Sequence, residues 1–467
     1  MRRATLAGLF LACLTFALPS DACATPRGDA AIANQAGAML KAATAAGRPG
    51  IAVLVARGDA ILYRGAVGAA NIELGVPLRT DQVFDIASVT KMFTAALVFK
   101  LSEAGKLSLD DPLARYLPDF PNAGAVTLRQ LLTHTAGISD ITPPGAVQPG
   151  FMRRDVDTAT LVAEIAKRPA AFAPGTAQAY SNAGYILLGA VVEKVTGEPW
   201  HVAMQEQLFG PLGLAHTGYG IASAVLPGRV AGYTTDTPDH RVRNAPFISL
   251  SIPAAAGGLV STVDDLRLWM RALAAGRVVG DAGYRQMVMP AMPGGTMPAH
   301  PYGMGMYVWK VRGETMIGHT GQIDGFAAIL AYLPSRDVTI VALGNDDNFD
   351  AQNFGRRLAA IALGKPYPTV VGVPIPAADL SALAGSYQEG PVVRTLSVRD
   401  GRLYAQRGKG NVVPMQMAAD GQLHFVPDEL SYFVPVRDSS GAIVRLDYYD
   451  HGDGPPRALP RIATGSN

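Results

Sequence analysis

Ser88-Val89-Thr90-Lys91 sets a hydroxyl and an amine three residues apart, where the apolar stretch Val83-Phe84-Asp85-Ile86-Ala87 gives way to a helical pattern. A serine hydroxyl attacks a carbonyl only when a neighbouring group takes its proton. On a helix, residue i+3 lies about 60° around the axis and one turn up, on the same face, so this spacing can hold Lys91 beside Ser88. The free N–H groups and positive dipole end of a helix start also suit a developing oxyanion. The chemistry implied is acyl transfer. Taken alone, the tetrapeptide is a weak signal and reads first as an N-cap serine followed by a surface lysine, so its companions decide.

Two further clusters carry suitable groups. Tyr180-Ser181-Asn182 follows the turn Ala173-Pro174-Gly175-Thr176 and precedes the helical run 183–195. A tyrosinate can act as a general base if a nearby cation lowers its pKa from about 10, and Lys91 is such a cation. The plain alternative is a loop tyrosine with Asn182 capping a helix start. His319-Thr320-Gly321 follows an expected strand at 314–318. A strand edge with a glycine lets a substrate approach closely, and the N–H of Gln322 can join that of Ser88 as an oxyanion hole. Its plain alternative is a β-turn with a surface histidine.

These groups need a frame. Apolar runs at 50–56 and 60–65 around Arg57-Gly58-Asp59 predict a β-hairpin. The helix opening at Ser88 should stop at Gly105. Mostly helical patterns fill the chain to about residue 290, and strands return at 304–312, 314–318, 326–333 and 338–343, before a helix at 351–363. This order predicts an α/β (α+β) fold, with one antiparallel sheet built from both chain ends, flanking helices and an inserted helical lobe. A Pro-rich linker is expected at 366–376, and short alternating segments at 377–467 read as a small all-β barrel or sandwich. The expected hydrolase domain spans 25–365.

Ser-x-x-Lys, Tyr-x-Asn and His-Thr-Gly, in that order, resemble the serine β-lactamase and penicillin-binding-protein superfamily, closest to its class C-like branch. The strings Leu131-Leu132-Thr133-His134-Thr135-Ala136-Gly137-Ile138 and Ala256-Gly257-Gly258-Leu259-Val260-Ser261-Thr262 are similar to that branch too. The resemblance implies Ser88 as acylated nucleophile, Lys91 and Tyr180 as proton-transfer groups and Asn182 as a ligand of the substrate amide. It implies His319, Thr320 and Gly321 as a substrate-binding strand, and the main chain of Ser88 and Gln322 as the oxyanion hole. His134 reads as packing. Class C β-lactamases usually carry lysine at the position of His319. Histidine, with an ordinary pKa near 6.5, is a poorer permanent cation. The expectation is therefore an esterase, amidase or D-peptidase, with two alternatives: a β-lactamase, and a catalytically silent penicillin-binding sensor of the cell wall. Substrates carrying a carboxylate should bind better as His319 protonates below about pH 6.5.

Composition narrows the partners. A net charge of +2 and the absence of any basic run of five exclude a nucleic-acid footprint, leaving a small molecule or peptide as the substrate. No H-E-x-x-H or comparable ligand spacing occurs, so neither metal nor cofactor is expected. Arg2 and Arg3, the apolar run 6–18 and Ala22-Cys23-Ala24 read as a signal peptide over residues 1–24, with export to the periplasm or beyond. Lipidation at Cys23 ranks second, because the residues before it lack the usual apolar side chain. Both cysteines, Cys13 and Cys23, fall in this segment. The mature chain would then fold without disulfides, and no later stretch is long enough to span a bilayer.

Overall fold

The structure, a computed structural model, describes residues 26–142, 145, 147, 148, 150–235, 241–295 and 301–463. The expected signal peptide lies outside the described residues. A six-stranded antiparallel sheet forms the centre. Its strands are β1 (Ile51–Arg57), β2 (Ala60–Val67), β3 (Tyr307–Val311), β4 (Glu314–Ile323), β5 (Phe326–Leu333) and β6 (Val338–Gly344). They lie in the order β3-β4-β5-β6-β1-β2, so both chain ends supply the sheet, as expected. Ile51 pairs with Gly344 and Arg57 with Val338. Asn345, fully buried, fixes the seam. Its Oδ1 accepts from the Gly50 N–H, and its Nδ2 donates to the carbonyls of Ala69 and Ala231 at 3.1 and 2.8 Å.

Both sheet faces are covered, which is why β1, β5 and β6 read as continuous apolar runs rather than alternating ones. Val53 and Val55 face a core shared with α1 (Pro26–Ala43) and α5 (Ala351–Ala362). Ala52, Leu54 and Ala56 face the opposite way, into the larger core. That core holds α2 (Thr90–Glu103), α3 (Asn182–Thr196) and α4 (Val263–Ala274). α2 is apolar around its whole circumference, and its burial follows from that. Phe93 stacks on Trp269 of α4 at 4.0 Å between ring centroids. Thr90 Oγ1 accepts from the Leu259 N–H at 3.2 Å, which satisfies two polar groups inside the core.

Beyond α5 comes a nine-stranded sheet, eight of whose strands run in sequence order: β7 (Gly385–Glu389), β8 (Val392–Arg399), β9 (Arg402–Arg407), β10 (Val412–Ala418), β11 (Leu423–Phe425), β12 (Tyr432–Arg437), β13 (Ile443–Asp450) and β14 (Asp453–Pro460), while the short strand Gly372–Val373 pairs with β10 off that path. Tyr387 bridges Arg461, and the Ile462 N–H donates to the Ser386 carbonyl at 2.8 Å, so the first strand meets the last and the barrel closes. Closure removes exposed sheet edges. Alternate residues such as Tyr387, Leu396, Leu403, Phe433 and Leu446 fill its interior.

The turn that carries Ser88 is wedged against β4. Ser88 lies in the 3-10 turn Ala87–Val89, directly before α2, and Ala87 adopts φ +45°, a left-handed conformation that costs a non-glycine residue energy. A Cβ on Gly321 would stand 2.2 Å from the Ile86 carbonyl oxygen. Gly321→Ala should therefore cost about 1–3 kcal/mol of stability, because backbone cannot yield as a side-chain tip does. Urea unfolding checks this, and an unchanged midpoint would show that the strand and turn have room to separate.

Candidate active site

Lys91 is the centre of the site. It sits on the first turn of α2 with none of its surface exposed. Its Nζ donates to Ser88 Oγ at 3.1 Å, to Asn182 Oδ1 at 2.7 Å and to the Ala256 carbonyl at 2.8 Å. Burial pushes its pKa down to about 7, against the opposing pull of the Asp140 carboxylate. An amine poised near neutrality can take a proton from a hydroxyl within hydrogen-bond reach.

Asn182 is locked at both ends. It opens α3, whose N-cap is Ser181, the side chain of which accepts from the Gly184 N–H at 3.3 Å. The capping that the plain alternative assigns to Asn182 thus falls to its neighbour, and the Asn182 side chain turns to Lys91. Its Nδ2 donates to Asp140 Oδ2 and Thr142 Oγ1, both at 3.0 Å. With donors committed on that side, Oδ1 must face the Lys91 ammonium. Asp140 also accepts from the Asn182 N–H at 3.0 Å.

Tyr180 is hydrogen-bonded to Ser88, and the Lys91 Nζ lies 4.7 Å from its ring centroid. The residue keeps 39 % of its surface exposed, yet its hydroxyl is enclosed, and the phenol is held well above the usual tyrosine range, chiefly by loss of water around the phenolate. The expectation that Lys91 keeps Tyr180 low in pKa is therefore corrected. A cation that is itself half discharged at neutral pH cannot repay that desolvation. The ring is boxed in by His134 at 4.4 Å, Tyr302 at 6.3 Å and a parallel Tyr307 at 6.4 Å between centroids.

His319, 1 % exposed, lies on the same side, 6.1 Å from the Tyr180 ring. Its tripeptide is part of strand β4, since Thr320 pairs with Ile329 and Gly321 with Ala328, and is not a turn. Its Nδ1 lies 2.5 Å from the Thr320 carbonyl, which can only accept, so Nδ1 carries the proton. Nε2 is then the acceptor for the Tyr302 hydroxyl at 3.1 Å. Burial and the Lys91 charge push its pKa down to about 3. His319 is thus neutral from pH 5 to 8. The expected gain in carboxylate binding below pH 6.5 has no physical basis here.

A cleft of about 510 Å³ brings Ser88, Asn182 and Gln322 to one wall and Met152, Phe247 and Ile248 to another. Thr320 is not brought to this cleft. It lines a separate hollow with Asp347 and Asn348, as strand alternation requires for a neighbour of His319. The Gln322 side chain also turns away and donates to the Asp347 carbonyl at 2.8 Å, which leaves its main chain for the cleft. Sequence reasoning missed Asp140, Tyr302 and Tyr307. Asp140 belongs to no motif, and only its carboxyl among polar loop residues hinted at a role. His134, read as packing, is buried and accepts from the Ser181 N–H at 3.2 Å, so it packs directly behind Tyr180.

The fold and this cluster define a serine hydrolase of penicillin-binding-protein type. A family model described as Beta-lactamase matches residues 31–364, and the chain belongs to that family. Penicillin-binding protein 4 of Amycolatopsis lactamdurans is 31% identical over 354 residues, 71% of this chain and 91% of that protein. Esterase EstB of Burkholderia gladioli is 37% identical over 225 residues, 45% of this chain and 56% of the esterase. The solved structure of a D-stereospecific amidohydrolase from Streptomyces sp. superposes with a TM-score of 0.60 at 28% identity, covering 68% of this chain and 94% of that one. Among the described residues, no helix is long and apolar enough to cross a membrane.

Two outcomes are expected from pH. Activity should rise as pH climbs through about 7, where Lys91 loses its proton. Asp140→Asn should move that limb to lower pH, because the carboxylate raises the Lys91 pKa. A kcat/KM profile from pH 5 to 9 checks both, and a limb that stays in place or moves up refutes the assignment. In the same profile, His319→Gln should leave the limb's position unchanged, since the histidine does not titrate in that range.

Proposed function

We propose that this protein is an exported hydrolase that cleaves a small ester or an amide, including amides of D-amino acids, through an acyl-Ser88 intermediate. One observation carries the reading: a fully buried Lys91, its pKa lowered to about 7, stands 3.1 Å from the Ser88 hydroxyl. Neutral Lys91 takes the Ser88 proton as Oγ attacks the carbonyl carbon. The oxyanion is held by the N–H groups of Ser88 and Gln322. Tyr180, kept protonated by its surroundings, gives its proton to the leaving group and recovers one from Lys91. Water then enters, and its proton passes through Tyr180 to Lys91, which returns one to Ser88 Oγ as the acyl bond breaks, so that the hydroxyl and the neutral amine are restored. Asn182 holds Lys91 through its Oδ1, and the strand His319-Thr320-Gly321 runs on into Gln322 and Ile323, which form the wall along which the substrate lies.

The apolar side chains of the cleft support an acyl group with a hydrophobic body. The relatives' names point the same way: an esterase, a D-aminopeptidase of Gluconobacter oxydans and a D-stereospecific amidohydrolase. A neutral His319 offers no permanent charge to the carboxylate of a β-lactam, which ranks β-lactam hydrolysis second. The charged start, short apolar run and small residues at 22–24 support export and removal of residues 1–24.

Intact-mass spectrometry tests these points together. A fluorophosphonate should add one adduct on Ser88, Ser88→Ala should abolish both adduct and turnover, and the exported chain should begin at Thr25. A stable benzylpenicillin adduct without release would favour the silent sensor. Turnover that survives in Ser88→Ala would overturn the acyl-enzyme.

A further inference from the structure

The barrel meets the hydrolase sheet around a second cavity of about 600 Å³, remote from Ser88 and lined by residues of β3, α5 and the barrel strands. Its barrel wall is unusual for a barrel interior. Glu389, Arg394 and Arg407 continue the inward-facing rows of Tyr387, Leu396 and Ala405, so charged groups sit where core side chains belong. Glu389 and Arg394 are 5% and 8% exposed. The Arg394 guanidinium lies 5.7 Å from the ring centroids of both Phe425 and Phe433.

The charges do not balance. Five basic side chains and three carboxylates line the cavity, and each carboxylate is already engaged. Glu389 accepts from Arg394 at 2.9 Å and Arg407 at 3.1 Å, with Arg457 3.8 Å away. Asp453 accepts from the Arg312 N–H and the Tyr367 hydroxyl. Asp450 is paired with His451 at 2.9 Å. Donors remain. Arg356, 5% exposed, spends one nitrogen on the Lys310 carbonyl at 2.7 Å and, at 3.5 Å, on the Asp453 carboxylate, while its Nε is buried with no partner among the described residues. Among the described residues, the Arg457 side chain meets no acceptor closer than Glu389 at 3.8 Å, and it stacks on the Tyr448 ring. A buried, unpartnered guanidinium N–H is costly unless something fills its place. Trp309 and Tyr448 supply apolar surface beside these donors.

We propose that this barrel mouth is a binding site for a small organic anion, a carboxylate or phosphate carried on an apolar body, held by Arg356, Arg394, Arg407 and Arg457. The site is independent of the acyl-Ser88 chemistry, and its test reads binding rather than turnover. Titration calorimetry on the full chain at constant ionic strength uses octanoate, octyl phosphate and inorganic phosphate as probes. Octanoate or octyl phosphate should bind one per chain, more tightly than inorganic phosphate, and the tighter of the two identifies the head group. Arg407→Gln/Arg457→Gln should weaken that binding at least tenfold while leaving fluorophosphonate labelling of Ser88 intact. Both side chains are more than half exposed, so the variant should fold. Arg457→Glu gives an independent second variant with the same expected loss. Absence of saturable binding by all three probes, or binding that both variants retain at wild-type strength, overturns the proposal.

Discussion

A lysine with no exposed surface is the constraint on which the rest of this molecule turns. Removing an ammonium from water costs several kcal/mol even after relaxation. The protein meets that cost with three acceptors, Ser88 Oγ, Asn182 Oδ1 and the Ala256 carbonyl, and with a helix buried on all sides. The remaining imbalance appears as a proton held only loosely. Packing and reactivity are therefore one feature: the contacts that seat α2 in the core also bring the amine to the hydroxyl. Asp140 reaches the same centre through Asn182, whose amide it orients.

The aromatic groups packed around this centre are uncharged. Tyr302 donates to a neutral His319, and Tyr307 lies parallel to Tyr180. Where a permanent cation would have pulled the phenol towards its anion, the neutral imidazole leaves it protonated. The neutral imidazole thus adds no charge to draw the phenol towards its anion, and loss of water keeps the phenol protonated.

Much of this was legible in the chain, in proportion to how local the causes are. The strand 326–333 was placed to the residue, because a continuous apolar run between two turn signals has few other readings. His319-Thr320-Gly321 was expected past the end of a strand but lies inside β4, since a polar tripeptide with glycine hides the pairing to Thr320 and Gly321 that β5 supplies. The last barrel strand, Asp453–Pro460, is hidden in the sequence because Pro455 and Pro456 argue against a strand, whereas the bulge between Tyr448 and Asp450 on its partner accommodates them. The spacing of Ser88 and Lys91 announced their meeting, but the lowered Lys91 proton affinity and the raised one of Tyr180 arise from burial by distant segments. No motif records them.

The seam closed by Asn345 joins backbone 295 residues apart. Contacts of such long range form late and slowly. During synthesis, Ser88 and Lys91 emerge from the ribosome long before the strand that completes their floor, and β4, which abuts the nucleophile turn, follows them by more than two hundred positions. The backing of this turn is therefore completed late in folding, long after both side chains have been made.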